Sequence, residues 1–189
     1  MKTETAKCIL EAALLTSQKP VSVTELKKLF DGEFNDRTIN ILLDDLKNDW
    51  NQRGLELVSV SSGWRFQSKI EYSHYLDKLQ SEKNSRYSRA VMETLAIIAY
   101  QQPVTRGDIE KIRGVSVSSH IIKILEERDW ILPVGQKESI GRPTLFGTSK
   151  KFLDDLGLLS LEELPPISNF EIDLDDKFME IEKENYEGK

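Results

Sequence analysis

The sequence predicts an α+β protein, mainly helical with small β-hairpins, that is built from two similar halves. Apolar residues recur at helical spacing in both halves, and short extended runs meet at glycine turns. The first elements of the two halves also align without a gap at an offset of 83 residues. With 189 residues, the chain is long enough for two small domains.

Three helices are predicted at the start of the first half. Residues 3–17 carry their apolar side chains on a single stripe, which is typical of an amphipathic helix. Ser22 and Glu25 have the spacing of a capping box and should begin a short second helix. Asn35 or Asp36 can cap a third helix, and both alternatives stay open.

A β-hairpin follows these helices, and the same order of elements then begins again. Residues 54–60 and 64–66 are extended runs on either side of a Ser-Ser-Gly turn. After the polar residues 80–85, Thr105 and Asp108 repeat the capping arrangement of the first half. Three helices and a hairpin are the element order of a winged helix, so we predict two winged-helix domains in tandem.

The second copy is predicted to have a central, largely buried helix over residues 87–100, because this stretch is apolar around most of its circumference. Its third helix is predicted from Val117, Ile121, Ile124 and Leu125. Its wing strands are predicted at residues 131–134 and 143–147.

Charge and composition set the domain boundaries. Residues 84–153 carry 11 basic and 7 acidic side chains, whereas residues 154–189 carry 3 basic and 12 acidic ones. The acidic end is poor in apolar residues, which is typical of a solvated, disordered tail. We predict an N-terminal domain at 1–80, a linker at 81–87, a C-terminal domain at 88–168 and the tail at 169–189.

The sequence contains no recognisable catalytic or metal-binding pattern. Its two histidines, His74 and His120, lie in different halves, and the single cysteine, Cys8, is expected to be a small core or edge residue. The adjacent carboxylates Asp154 and Asp155 should diverge on a helix and are interpreted as part of a solvated face. We therefore expect no enzymatic activity, no cofactor and no metal.

Localisation is predicted from the same composition. The uncharged apolar runs are far shorter than the ~20 residues that a membrane span needs. The N-terminus lacks the apolar core of a signal peptide, and a single cysteine fits a reducing compartment. We expect a cytoplasmic protein with no membrane partner.

Winged helices often bind DNA, but both predicted third helices are acidic. The first carries Asp36, Asp44, Asp45 and Asp49 against Arg37 and Lys47. The second carries Glu126, Glu127 and Asp129 against Lys123 and Arg128. Carboxylates beside phosphates oppose the counterion release that drives DNA binding. A DNA-binding transcription regulator is therefore kept only as the alternative function. Weak contact with the DNA backbone through basic residues elsewhere in the second half stays open.

Several motifs resemble one family, segregation and condensation protein B (ScpB). They are SRAVMETLAIIAYQQPVTR at 88–106, IRGV at 112–115, GRPTLFGT at 141–148, FLDDLGL at 152–158 and LEELP at 161–165. The resemblance covers residues 3–168 and implies a non-catalytic accessory subunit of the bacterial SMC–kleisin complex. That complex acts in chromosome condensation and partition during cell division.

The resemblance also implies partners. The subunit would be a homodimer that binds the kleisin ScpA, reaches the SMC head domains through ScpA, and meets chromosomal DNA in the nucleoid only through the complex. The first domain would carry the dimer contact and the second the kleisin contact.

Candidate residues for the two contacts follow from this division. For the kleisin they are Arg89, Tyr100, Arg106, Arg142 and Phe146. For the dimer they are Leu55, Leu57, Trp64 and Phe66. Simpler structural roles are open for both sets, namely core burial for the kleisin aromatics, a stiff wing turn for Arg142, and packing of the hairpin onto its own domain.

Overall fold

The structure is a computed structural model that describes residues 2–79 and 87–166. It forms two compact units, Met1–Leu159 and Ser160–Lys189. The predicted acidic tail and all but Tyr87 of the predicted linker lie outside the described residues. The domain boundaries therefore stay a prediction.

In each half of the first unit, three helices precede a hairpin and a fourth, short helix follows it, which confirms the predicted α+β class with two winged helices. The first half contains α1 (Thr3–Thr16), α2 (Val23–Lys27), α3 (Asp36–Asp49), β1 (Leu55–Val60), β2 (Gly63–Ser68) and α4 (Ser73–Leu76). The second half contains α5 (Arg89–Gln101), β3 (Val104–Thr105), α6 (Arg106–Arg113), α7 (Ser119–Glu127), β4 (Ile131–Gln136), β5 (Thr144–Thr148) and α8 (Lys150–Leu156). In the second unit, the described residues include the 3-10 helix Leu161–Glu163.

Helix starts follow the capping residues expected from the sequence. Ser22 and Glu25 form the reciprocal capping box of α2. Thr105 and Asp108 form the equivalent box of α6. Asn35, one of the two candidates, caps α3 by accepting a hydrogen bond from a backbone N–H. The local chemistry therefore sets where these helices begin.

In both halves, a third segment of the chain pairs with the hairpin. In the second half, β5 lies between β3 and β4, and Val104 pairs with Phe146. In the first half, Val21 forms a single β-bridge to Trp64. Val21 and Val104 are separated by the repeat offset, so the short strand β3 is the fuller version of this bridge. The sequence analysis did not predict β3.

A separate apolar core fills each half. The first core consists of Ala6, Leu10, Leu14, Leu26, Phe30, Ile39, Leu42, Leu43, Leu46, Trp50 and Leu57. In the second half, α5 buries Val91, Leu95, Ile98 and Ala99, as expected for its central helix. The predicted stripe of α7 was partly wrong, because Ile122 and Leu125 are buried while Ile121 and Ile124 are only half-buried.

Two hydrogen bonds join the turn of the first hairpin to the end of the second half. The Ser61 N–H donates to the carbonyl oxygen of Leu158 over 3.0 Å. The Ser62 N–H donates to Oδ1 of Asp154 over 2.9 Å. Asp154 is only 8 % exposed, so the expectation of a solvated Asp154–Asp155 pair was wrong for this residue. A buried carboxylate needs such a donor, and the hairpin turn supplies it.

Candidate functional site

The helix α5 presents two of the predicted kleisin residues on its outer side. Its buried face packs in the core, while Arg89, Met92 and Ala96 are exposed. Tyr100 is half-buried and lies eleven residues after Arg89, close to three helical turns. The two side chains therefore share one face of α5, about 16 Å apart along its axis. This face is long enough for a partner helix of several turns.

Arg89 belongs to a charged network around Glu93. Its Nε lies 2.8 Å from one carboxylate oxygen of Glu93, and the Arg113 guanidinium lies 3.2 Å from the other. The hydrogen bond from Arg89, followed by that from Arg113, lowers the pKa of Glu93. Glu93 thus stays ionised between two arginines, and it reduces the positive charge that Arg89 presents to a partner.

Arg113 has a structural position that sequence reasoning missed. It is one of the basic residues of the second half for which weak contact with the DNA backbone stayed open, but its side chain is only 9 % exposed. Its Nε is buried without a hydrogen-bond partner among the described residues. Glu93 is the only charged residue between Arg89 and Arg106 in the sequence, which is the signal that could have suggested a shared ion pair. Arg113 therefore ties α6 to α5.

Arg106 is also held by its own domain. Its Nε lies 3.1 Å from Oε1 of Glu110, and one terminal nitrogen donates to the Ser119 hydroxyl over 3.2 Å. The hydrogen bond that Glu110 accepts from the backbone N–H of Val117 is the largest cause of its lowered pKa, and the hydrogen bond from Arg106 is the second. Arg106 therefore connects the start of α6 to the start of α7, and nearly half of its side chain is still exposed.

The second wing is attached to α6 through Asp108. This carboxylate accepts hydrogen bonds from the Thr105 hydroxyl, the Lys137 ammonium and the Thr105 backbone N–H, at 2.7, 3.0 and 3.1 Å. These donors lower the pKa of Asp108 from 3.8 to about 2. The capping box of α6 thus also fixes the position of the wing.

Arg142 and Phe146 lie on this wing. Arg142 is exposed in the loop between β4 and β5, with a left-handed φ of 39°. It lines a surface depression of about 590 Å³ together with Gln136, Lys137, Glu138 and Ser139. Phe146 is half-buried in β5 opposite Val104. The five predicted kleisin residues are thus spread over α5, the start of α6 and the wing.

The predicted dimer residues lie on the first hairpin, and much of their surface is used within the domain. Leu57 is completely buried in the first core. Leu55, Trp64 and Phe66 pack against that core and are half-buried. The ring centroids of Phe66 and Trp50 are 4.6 Å apart. Leu57 therefore has no surface for a partner, and the other three residues keep only part of theirs.

The outer faces of the third helices are acidic, as the sequence indicated. On α3, Asp44 and Asp45 are exposed; Asp36 and Asp49 are also exposed but pair with Lys27 and Lys7. On α7, Glu126 and Glu127 are exposed beside Lys123, whose ammonium pairs with Glu127 at 3.5 Å. These surfaces disfavour insertion into a DNA groove.

The described residues contain neither a metal-binding cluster nor a membrane-spanning helix. Over residues 2–79 and 87–166, no group of three or more His, Cys, Asp or Glu side chains could hold a metal ion. Within the same part of the chain, no helix is long and apolar enough to cross a membrane.

Comparison with known proteins places this winged-helix architecture in the class of chromosome segregation subunits. The model of the segregation and condensation complex subunit ScpB family matches residues 8–167. A segregation and condensation protein B homolog of Coxiella burnetii is 48 % identical over 165 residues, which cover 86 % of this chain and 79 % of that protein. The chain belongs to the ScpB family.

Solved structures of similar proteins include two of ScpB. The crystal structure of ScpB from Mycobacterium tuberculosis is 29 % identical, with a TM-score of 0.40 over 84 % of this chain and 98 % of that one. A crystal structure of a dimer of the ScpB N-terminal domain complexed with an ScpA peptide is 24 % identical, with a TM-score of 0.38. It covers 44 % of this chain and 98 % of that one.

Proposed function

We propose that this chain is a non-catalytic subunit of a condensin-like SMC–ScpA–ScpB complex and binds the kleisin ScpA as a homodimer. In this role it acts in chromosome condensation and partition during cell division. The observation that carries the proposal is membership of the ScpB family, which rests on a match over residues 8–167. The acidic outer faces of α3 and α7 support a protein partner rather than direct reading of DNA.

The other partners follow from binding to the kleisin. ScpA connects the subunit to the SMC head domains, which carry the ATP hydrolysis of the complex. Chromosomal DNA is met through the assembled complex, so the subunit works in the cytoplasm at the nucleoid. No reaction is assigned to the subunit itself, and it requires no cofactor.

The kleisin contact is proposed for the second half, on the outer face of α5 and the wing. A helical kleisin segment would place apolar side chains against Met92 and Tyr100. Arg89 and Arg142 would pair with carboxylates at the edges of that contact. Arg142 is the best residue for a test, because its side chain is exposed at a wing tip rather than packed in the core.

A titration of the full chain into a fluorescently labelled central segment of ScpA tests this surface by anisotropy. The Arg142→Glu variant should bind at least about 10-fold more weakly, since it replaces an attractive charge by a repulsive one. Lys28→Glu is a matched control, because Lys28 is exposed in the first half and the charge change is identical. Wild-type affinity in Arg142→Glu, or equal weakening in both variants, would contradict the proposed surface.

A further inference from the structure

Two arginines that differ greatly in burial share the carboxylate of Glu93 in the second half. The side chain of Arg113 is only 9 % exposed, whereas that of Arg89 is 75 % exposed. Each guanidinium contacts a different carboxylate oxygen, Arg113 at 3.2 Å and Arg89 at 2.8 Å. Glu93 therefore binds both arginines at the same time, one on the inner side of the helix pair α5 and α6 and one towards solvent.

The ion pair between Arg113 and Glu93 is the one that the fold depends on. In the described part of the chain, no other carboxylate lies within ion-pair distance of Arg113, and its Nε is buried without a hydrogen-bond partner. A buried guanidinium that loses its only counter-charge is strongly destabilising. Glu93 must therefore stay beside Arg113 whatever else it contacts.

The ion pair between Arg89 and Glu93 can be broken with little effect on the fold. The two residues are an i,i+4 pair on the outer side of α5, and solvent-exposed pairs of this kind contribute little to stability. Arg89 also begins α5 directly after the N-cap Ser88, at the positive end of the helix dipole, where a cation is not favoured. If Arg89 turned to another carboxylate, Glu93 would still be neutralised by Arg113.

We propose that Glu93 is a specificity-determining residue that competes with a carboxylate of the bound kleisin segment for Arg89, and that Arg113 is the positioning residue that holds Glu93 in place. The proposal rests on the proposed function and concerns the selectivity of its surface on α5. An Asp or Glu side chain of the segment replaces Glu93 as the acceptor of the Arg89 hydrogen bond. A neutral side chain at that place offers no such replacement, so segments without the carboxylate are disfavoured.

Anisotropy titrations of the full chain into the labelled ScpA segment measure this competition. Glu93→Gln should bind at least about 3-fold more tightly than the wild type, because an amide holds Arg89 less strongly than a carboxylate does. The control is Glu127→Gln, which removes the same charge from the exposed i,i+4 pair with Lys123 on α7 and should leave the affinity unchanged. The gain of Glu93→Gln over this control should shrink as the salt concentration rises.

A double-mutant cycle shows whether the gain depends on Arg89. Arg89→Gln should bind at least about 3-fold more weakly than the wild type, and adding Glu93→Gln to it should change nothing further. If Glu93→Gln tightens binding equally in the absence of Arg89, Glu93 acts on the partner directly and the proposal is overturned. It is also overturned if Glu93→Gln alone leaves the affinity unchanged or weakens it.

The role of Arg113 is separated from stability by a second pair of variants. Arg113→Met leaves Arg89 as the cation of Glu93, so it should bind the ScpA segment at least about 3-fold more weakly. The double variant Glu93→Gln with Arg113→Met replaces the buried ion pair by uncharged side chains, which a fold tolerates better than the loss of one partner. It should bind as tightly as Glu93→Gln, even where Glu93→Gln alone lowers the thermal midpoint.

The remaining outcomes distinguish this inference from the proposed function. If the double variant binds as weakly as Arg113→Met, Arg113 has only a structural role and the positioning role is overturned. Wild-type affinity in Arg89→Gln would overturn the competition while leaving the kleisin-binding subunit intact. A wild-type chain that does not bind the ScpA segment at all would instead refute the proposed function.

Discussion

Replacing Gly63 by alanine should be one of the most damaging small changes in the first half. Gly63 begins β2 with a φ of 143°, a region that residues with a side chain rarely adopt. A Cβ at this position would lie 2.3 Å from the carbonyl oxygen of Val21 and 2.7 Å from the Ser22 nitrogen. Both neighbours are backbone atoms, so the hairpin would have to move away from Val21.

The cost can be worked out from the contacts that this movement breaks. Val21 and Trp64 exchange two backbone hydrogen bonds of 2.9 Å, each worth about 1 kcal/mol. Backbone strain at the new alanine adds ~1–3 kcal/mol. The variant should therefore lose ~3–5 kcal/mol of unfolding free energy, a large part of the ~5–15 kcal/mol of a typical domain.

Urea denaturation followed by circular dichroism measures this loss. Gly32→Ala is the control, since Gly32 also has a positive φ, 84°, but a Cβ there would meet no atom within 4 Å. It should lose only the strain contribution of ~1–3 kcal/mol. If the two variants lose equal free energy, the close approach of the hairpin to Val21 is not what requires glycine at position 63.

Three other predictions concern charge, contact and packing. Asp108→Asn should remove stability that the wild type holds at neutral pH and loses as pH falls from about 4 to 2, since the folded pKa is lowered; acid titration of both proteins measures this. Asp154→Ala should remove the acceptor of the Ser62 N–H and speed protease cleavage at the first hairpin turn, whereas an unchanged cleavage rate would count against that contact. Ile98→Ala should cost ~2–5 kcal/mol in the same urea assay, because Ile98 is fully buried, and a loss below 1 kcal/mol would exclude the packed core around α5.

Local patterns predicted much of this fold from the sequence. The capping residues gave the starts of α2 and α6, and the apolar density of residues 87–100 indicated the buried helix α5. The strand β3 was missed because two residues are too short to show a periodic pattern. Its relation to Val21 became visible only through the pairing with β5.

Contacts between residues far apart in the chain are the features of the candidate site that could not be predicted from the sequence. The burial of Asp154 depends on a hairpin turn 92 residues earlier in the chain, which spacing along a helix cannot reveal. Arg113 has the sequence features of an exposed cation, and its ion pair with Glu93, 20 residues earlier, is a long-range contact. The exposure of the helix α4 was likewise not predictable, because the helical spacing of Tyr72, Tyr75, Leu76 and Leu79 is also typical of a helix that packs on its own core.

The central claim is that this chain assembles as a dimer with the kleisin. Size-exclusion chromatography with light scattering of the full chain mixed with ScpA tests it most directly. We expect one stable complex whose mass contains two copies of this chain and one or more of ScpA. A chain that elutes as a monomer and stays separate from ScpA would contradict the account.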